Sequence, residues 1–206
     1  MSCAICHKRK PKRHCPGVHG EICSLCCGTE RENSVTCPFD CPYLQEAHRY
    51  EWERNPGAPL EGIPFSQYEI HNNFLHHHDA FIGMIAATML KRALELPAVQ
   101  DSDLREALDG LIRTRETMAS GLVYESVPQM PVPEALFRTV RQFLEETASK
   151  VQVKDSEILK CLVFLARLAA ARSNGRPRCR AFVGFLVKQF PQVVAETTPA
   201  GLIISG

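Results

Sequence analysis

Residues 3–41 read CAICHKRKPKRHCPGVHGEICSLCCGTERENSVTCPFDC, and this stretch decides how the N-terminal part of the chain is built. It holds eight of the protein's ten cysteines. Cys3 and Cys6 are separated by two residues, Cys15 stands alone, Cys23 and Cys26 are again separated by two with Cys27 directly after them, and Cys37 and Cys41 are separated by three. Short turns of this length aim two thiolates at one ion, as in tetrahedral zinc sites with Zn–S bonds of about 2.3 Å. Eight such ligands make two sites. Adjacent side chains diverge, so Cys26 and Cys27 are assigned to different ions. The predicted arrangement is interleaved: Cys3, Cys6, Cys23 and Cys26 bind one Zn2+, while Cys15, Cys27, Cys37 and Cys41 bind the other. An alternative second site has His19 or His14 in place of Cys27.

A disulfide framework is the weaker reading. A chain of 206 residues has material for a core without covalent staples, and its first residues lack the apolar run of a secretory signal, which predicts a reducing, cytoplasmic setting. The residues between the cysteines suit metal-binding turns. Gly28 can supply a positive φ after the vicinal pair, and Pro16, Pro38 and Pro42 stiffen the loops. Pro42 fits the first turn of a helix through YLQEAHRYEWER, which would put Cys41 at a helix N-terminus, where the dipole favours a thiolate.

The run CAIC, CPG, ICSLCCGTER and TCPFDCPYLQEA resembles an uncharacterised group of bacterial zinc-finger proteins that join such an N-terminus to a helical remainder. It is similar, more loosely, to cross-brace fingers of the RING, MYND and HIT kind. The likeness spans residues 3–47, about a fifth of the chain. It implies zinc at the eight matching cysteines and no particular activity. Ubiquitin-ligase function is not implied, because the first ligand loops are short and the order of cysteines and histidines departs from RING fingers.

Four thiolates close the coordination sphere of zinc, so a structural role is expected rather than a catalytic one with an open water position. Few apolar side chains lie in this segment, and metal binding should supply most of its folding free energy.

Lys plus Arg (24) nearly balances Asp plus Glu (23), and 45% of residues are hydrophobic, which excludes collagenous and highly charged disordered classes. No apolar run approaches the roughly 18 residues of a membrane span. The predicted organisation is a zinc module with a short helix over residues 1–54, a Pro/Gly-rich linker at 55–65, and an α-helical bundle with an extended tail at 66–206. The fold class is mainly α, with a bundle of about five helices and about half of the chain helical.

Helical periodicity carries that prediction. Residues 66–96 place Phe74, His78, Phe81, Ile82, Ile85 and Met89 on one stripe, stopped by Pro97. A second helix, capped by Asp101 or Ser102 and ended by Gly121, directs Leu104, Leu108, Leu111, Ile112 and Met118 inward. A third begins near Pro133 with Leu136, Phe137, Val140, Phe143 and Leu144. A fourth opens at Asp155, is apolar over a wide arc from Ile158 to Ala169, and should be central. After Asn174 and Gly175, a fifth carries Phe182, Phe185, Leu186 and Phe190. Residues 121–126 and 201–206 share a β-favouring character and are candidates for a small ribbon.

His76, His77, His78 and Asp79 do not form a local metal site, because consecutive helical residues point about 100° apart. His78 is instead expected half-buried on the apolar stripe. No phosphate-binding loop, nucleophile elbow or His-Glu-x-x-His motif occurs. Lys8, Arg9, Lys10, Lys12 and Arg13 form a basic finger loop, and a second cluster, Arg176, Arg178 and Arg180, lies in the arginine-rich turn at 172–180. Both are candidate nucleic-acid contacts. The finger loop is also a candidate counter-charge for thiolate sites of formal charge −2. Cys161 is expected to be a buried thiol, and Cys179 a more reactive one because of its flanking arginines. The function predicted is a zinc-stabilised protein-interaction or adaptor module with a protein partner; nucleic-acid binding is the alternative, and metal-dependent catalysis the least supported class.

Overall fold

The computed structural model describes residues 2–54, 62–96, 98–121 and 124–197. Helix accounts for 63% of these, more than the expected half, in eight segments. The chain runs β1 (Arg13–Cys15), β2 (Gly20–Ile22), α1 (Ser24–Glu30), α2 (Pro42–Arg54), α3 (Asn72–Glu95), α4 (Asp101–Ala119), α5 (Pro131–Val151), α6 (Asp155–Arg172), α7 (Ala181–Gln189) and α8 (Pro191–Thr197). None of the described helices is long and apolar enough to cross a membrane.

The cysteine-rich segment precedes the bundle and has its own small core, in which Ile22, Val35 and Leu44 join the buried cysteines. β1 and β2 form an antiparallel ribbon, Arg13 opposite Ile22 and Cys15 opposite Gly20. Strands of three residues are too short to leave an alternating pattern, and neither they nor the seven-residue α1 were expected from the sequence. Pro42 does begin α2, and the Leu44 and Gln45 N–H groups donate to the Cys41 carbonyl at 3.0 and 3.1 Å.

The bundle core is a single cluster built from the predicted stripes. Ile158, Leu159, Leu162, Val163, Leu165, Ala166 and Ala169 of α6 are all buried. α6 packs on α3, α4 and α7, α4 on α5, α6 and α7, and α3 on α5, α6, α7 and α8, so α6 shares the central role with α3 and α4. Three expectations are corrected. The bundle has six helices among the described residues, in keeping with the expected about five, but the tail expected to be extended is helical as far as residue 197: Pro191 starts α8, a position proline suits since its missing N–H would be unpaired there anyway. The first long helix begins at Asn72 instead of residue 66; Phe65, Tyr68 and Ile70 ahead of it pack on the core in turns, whose carbonyls at Pro64, Phe65 and Tyr68 accept from Arg167. Met118 lies outward, 57% exposed, in the last turn of α4. The proposed second ribbon falls on residues 122, 123 and 201–206, outside the described residues, and residues 124–126 form no strand.

Asp101 illustrates how the bundle is pinned. It is the first residue of α4 and, rather than capping that helix, its buried carboxylate accepts from the N–H groups of Phe182 and Val183 at 2.8 and 3.0 Å. It thereby satisfies the open donors at the start of α7.

Candidate metal centre

Backbone bonds shape the first knuckle: Cys3 N–H donates to the Arg9 carbonyl, His7 N–H to Cys3, and Ala4 N–H to Glu21 of β2. His7 takes φ +54°, closing the loop. The second knuckle is the start of α1, where the Cys23 sulfur occupies the helix N-cap and accepts from Cys26 N–H at 3.4 Å. β2 ends at Ile22, directly before Cys23, and its Glu21 carbonyl ties the first knuckle to the second. As a result the sulfurs of Cys3, Cys6, Cys23 and Cys26 all lie within 4.8 Å of one another. Thiolates at about 2.3 Å from a tetrahedral ion sit about 3.8 Å apart, so the four thiols fit one such ion with small adjustments.

The electrostatics of the cluster also suit a cation. Burial opposes ionisation of Cys3, yet N–H groups of Cys6, Cys23 and Ile5 aimed at its sulfur outweigh this and lower its pKa to about 6. The Cys23 N–H to Cys3 Sγ bond is 3.2 Å. At Cys26, burial and then the sulfurs of Cys23, Cys6 and Cys3 push the pKa up to about 12. Four thiolates cannot share this space without a positive ion between them.

Cys15, Cys37 and Cys41 are buried as well. They are near enough to interact: burial, opposed by the Glu32 N–H, and then the charges of Cys41, Cys15 and Glu32 push the Cys37 pKa up to about 11. Cys27 is half-buried and its sulfur accepts from Arg13 Nη1 at 3.6 Å. Among the described residues only the first set gathers its ligand atoms within 4.8 Å. His14 faces outward beside Glu21, 3.4 Å away, and His19 is exposed in the turn between the strands.

The basic loop divides. Arg9 is held toward the first cluster, its pKa raised chiefly by a hydrogen bond with Cys23 against a smaller effect of burial. Arg13 stacks on Tyr43 at 4.0 Å while bonding Cys27. Lys8, Lys10 and Lys12 are exposed. The arginine-rich turn is directed at the finger rather than at solvent. Arg176 donates to the carbonyls of Gly28 and Arg31, and Arg178 to Thr36 Oγ1 at 2.8 Å. Arg180 is buried, donates to the Cys37 carbonyl at 3.2 Å, and lies over Phe39 at 3.5 Å.

Glu32 organises this junction and went unnoticed in the sequence, where the run RENS carries no periodic signal. It sits at φ +54° just after α1 and is fully buried. Its carboxylate meets His48 Nε2 (2.8 Å), Asn174 Nδ2 (2.8 Å) and Arg180 N–H (2.7 Å), and its carbonyl accepts from Arg178 N–H (2.9 Å). Burial alone would raise its pKa; the bond and charge of His48, then Arg180 N–H and Asn174, hold it below the usual carboxylate value. Cys179 differs from expectation. Its thiol donates to Asp101 at 3.2 Å, and burial followed by the Asp101 charge pushes its pKa up to about 12, so the flanking arginines do not activate it.

No protein family, curated protein or solved structure matches the chain. The cysteine cluster is consistent with a zinc-finger-like module and with metal binding.

Proposed function

We propose that residues 2–54 fold around two structural zinc ions and that the resulting finger, fixed to the helical bundle, serves as a protein-interaction or adaptor module. The observation that carries this reading is the cluster of Cys3, Cys6, Cys23 and Cys26, whose four sulfurs converge within 4.8 Å. Four sulfur ligands leave no position for water, which favours a structural ion over a catalytic one. Cys15, Cys37 and Cys41 would hold the second zinc with Cys27 as fourth ligand. Bound zinc supplies the charge that keeps the thiols ionised, and Arg9 and Arg13 offset the negative charge of the ligand sets. Thiols of this kind suit a reducing cytoplasm, and the segment resembles the bacterial zinc-finger group named above.

The adaptor reading is supported by apolar surface left open on the finger: Leu25 is 51% and Tyr50 55% exposed. Side chains of this size unburied on so small a unit are suited to a protein partner. The test is cross-linking in cells of its own species with the intact protein, compared with Leu25→Asp and Tyr50→Asp. The variants should keep their zinc and lose the cross-linked partner; unchanged cross-links would contradict the reading.

A second reading, contact with a nucleic-acid backbone, is favoured by Lys8, Lys10 and Lys12, which are exposed without a carboxylate partner among the described residues. It predicts oligonucleotide binding that weakens steeply with salt and is lost when all three become glutamine.

A further inference from the structure

A cleft opens where α2 of the finger meets α6 and α7 of the bundle. A cavity of about 220 Å³ there adjoins one of about 410 Å³, the two sharing His48, Trp52, Arg172 and Ala181. Arg172 lies at their common wall. Its guanidinium is sandwiched between Trp52, 3.8 Å from the ring centre, and Phe185, at 4.0 Å. Its Nε is buried without a hydrogen-bond partner, and no carboxylate pairs with it among the described residues. Burial lowers its pKa, as befits a cation taken partly out of water without a counter-ion.

Such a cation is ordinarily matched by an acid, because a partly desolvated charge without one is costly. Here the surroundings have the same sign. The smaller cavity is lined by Arg49, Arg172, Arg180 and Lys188 and by no aspartate or glutamate. Arg180 is committed to the Cys37 carbonyl, but Arg49 has only an exposed partner, Glu53, at 3.9 Å, and Lys188 is exposed. Glu51 belongs to the larger cavity and is already matched by Arg31 at 3.3 Å and Asn174 at 3.3 Å. The floor is apolar, formed by Phe39, Leu44 and Phe185.

We propose that this cleft binds a small organic phosphate. The phosphate would pair with Arg172, whose guanidinium is held between the Trp52 and Phe185 rings and carries planar N–H donors suited to forked contact with an oxyanion. Arg49 and Lys188 at the rim add the charge that favours a dianion over a carboxylate, and a planar or apolar body lies on the floor. The concave shape and modest volume suit one small molecule rather than a polymer strand. The proposal goes beyond the metal reading and needs only that the finger be folded.

Trp52 is the protein's single tryptophan and reports directly on the cleft. The zinc-loaded full-length protein is titrated with phenyl phosphate, inorganic phosphate, phenol and a single-stranded oligonucleotide, reading tryptophan fluorescence. Phenyl phosphate should give a saturable change, inorganic phosphate should bind about tenfold more weakly, and phenol should give none. Lys188→Glu, at an exposed position, should weaken phenyl phosphate about tenfold, and Arg172→Gln should abolish its binding. If Arg172→Gln does not fold by circular dichroism, Arg49→Gln takes its place with the same direction expected. The proposal is overturned by no saturable response, by phenol acting as well as phenyl phosphate, by Lys188→Glu leaving affinity unchanged, or by the oligonucleotide binding more tightly than phenyl phosphate, which would assign the cleft to a polymer. Zinc content measured on the same sample keeps this outcome separate from the metal reading.

Discussion

Glu32 is the residue on which the joining of finger and bundle turns. A buried carboxylate is tolerated there because three donors converge on it, from α2 (His48), from the turn after α6 (Asn174) and from the start of α7 (Arg180 N–H). Glu32→Gln removes the charge and leaves at least one donor facing another, and should destabilise the protein by about 3 kcal/mol in denaturant unfolding. The pH dependence has a defined sign. With its folded pKa below the unfolded value of 4.5, Glu32 contributes stability that is fully present above that value and is lost as pH falls through the lower folded pKa. Asp101 runs the other way: raised from 3.8 to about 6 by burial, its ionisation costs stability as pH rises between those values. Comparing unfolding of the native protein and Glu32→Gln across pH 3–6 should show the acid-side loss shrink in the variant. Cys179 gives a second check at this scale. Held by Asp101 and raised to about 12, it should react with a thiol reagent in the native protein more slowly than a model peptide does; equal or faster labelling would contradict its burial.

Elements meet here by close approach as well as by charge. Gly110 of α4 faces the Ser126 carbonyl so closely that an added Cβ would lie 2.5 Å from it and 3.2 Å from Phe137. Gly110→Ala should therefore cost about 1–3 kcal/mol by overpacking, although alanine is the better helix former, and thermal unfolding would show it. The stripes of α3 to α7 were legible in the sequence because amphipathic periodicity and proline or glycine stops report local geometry. α8 was missed because Pro191 can end one helix or start the next, and the sequence alone does not say which. The first four-cysteine set was legible from spacing, since tight turns are local. That Cys27 faces Arg13 was not, nor was the direction of the arginine-rich turn, because both follow from how β1 and α7 are placed by distant contacts. Cys179 was misjudged for the same reason: its sequence neighbours are cations, but its neighbour in space is Asp101.

At the scale of the molecule, two cores are bolted together by polar groups. The bundle buries its own apolar cluster, whereas the finger's small core consists largely of cysteines. Chelation should consequently loosen residues 2–54 while α4 and α6 keep their amide protection, a difference that hydrogen exchange resolves by segment. Loss of protection throughout the bundle would mean that the finger is needed for the whole fold. The most direct measurement of the central claim is the mass of the intact, natively sprayed protein, together with its Cys3→Ser and Cys37→Ser variants. The account predicts about two zinc ions on the native chain and about one on each variant. A native chain carrying none, or a single ion that survives Cys3→Ser, would contradict it.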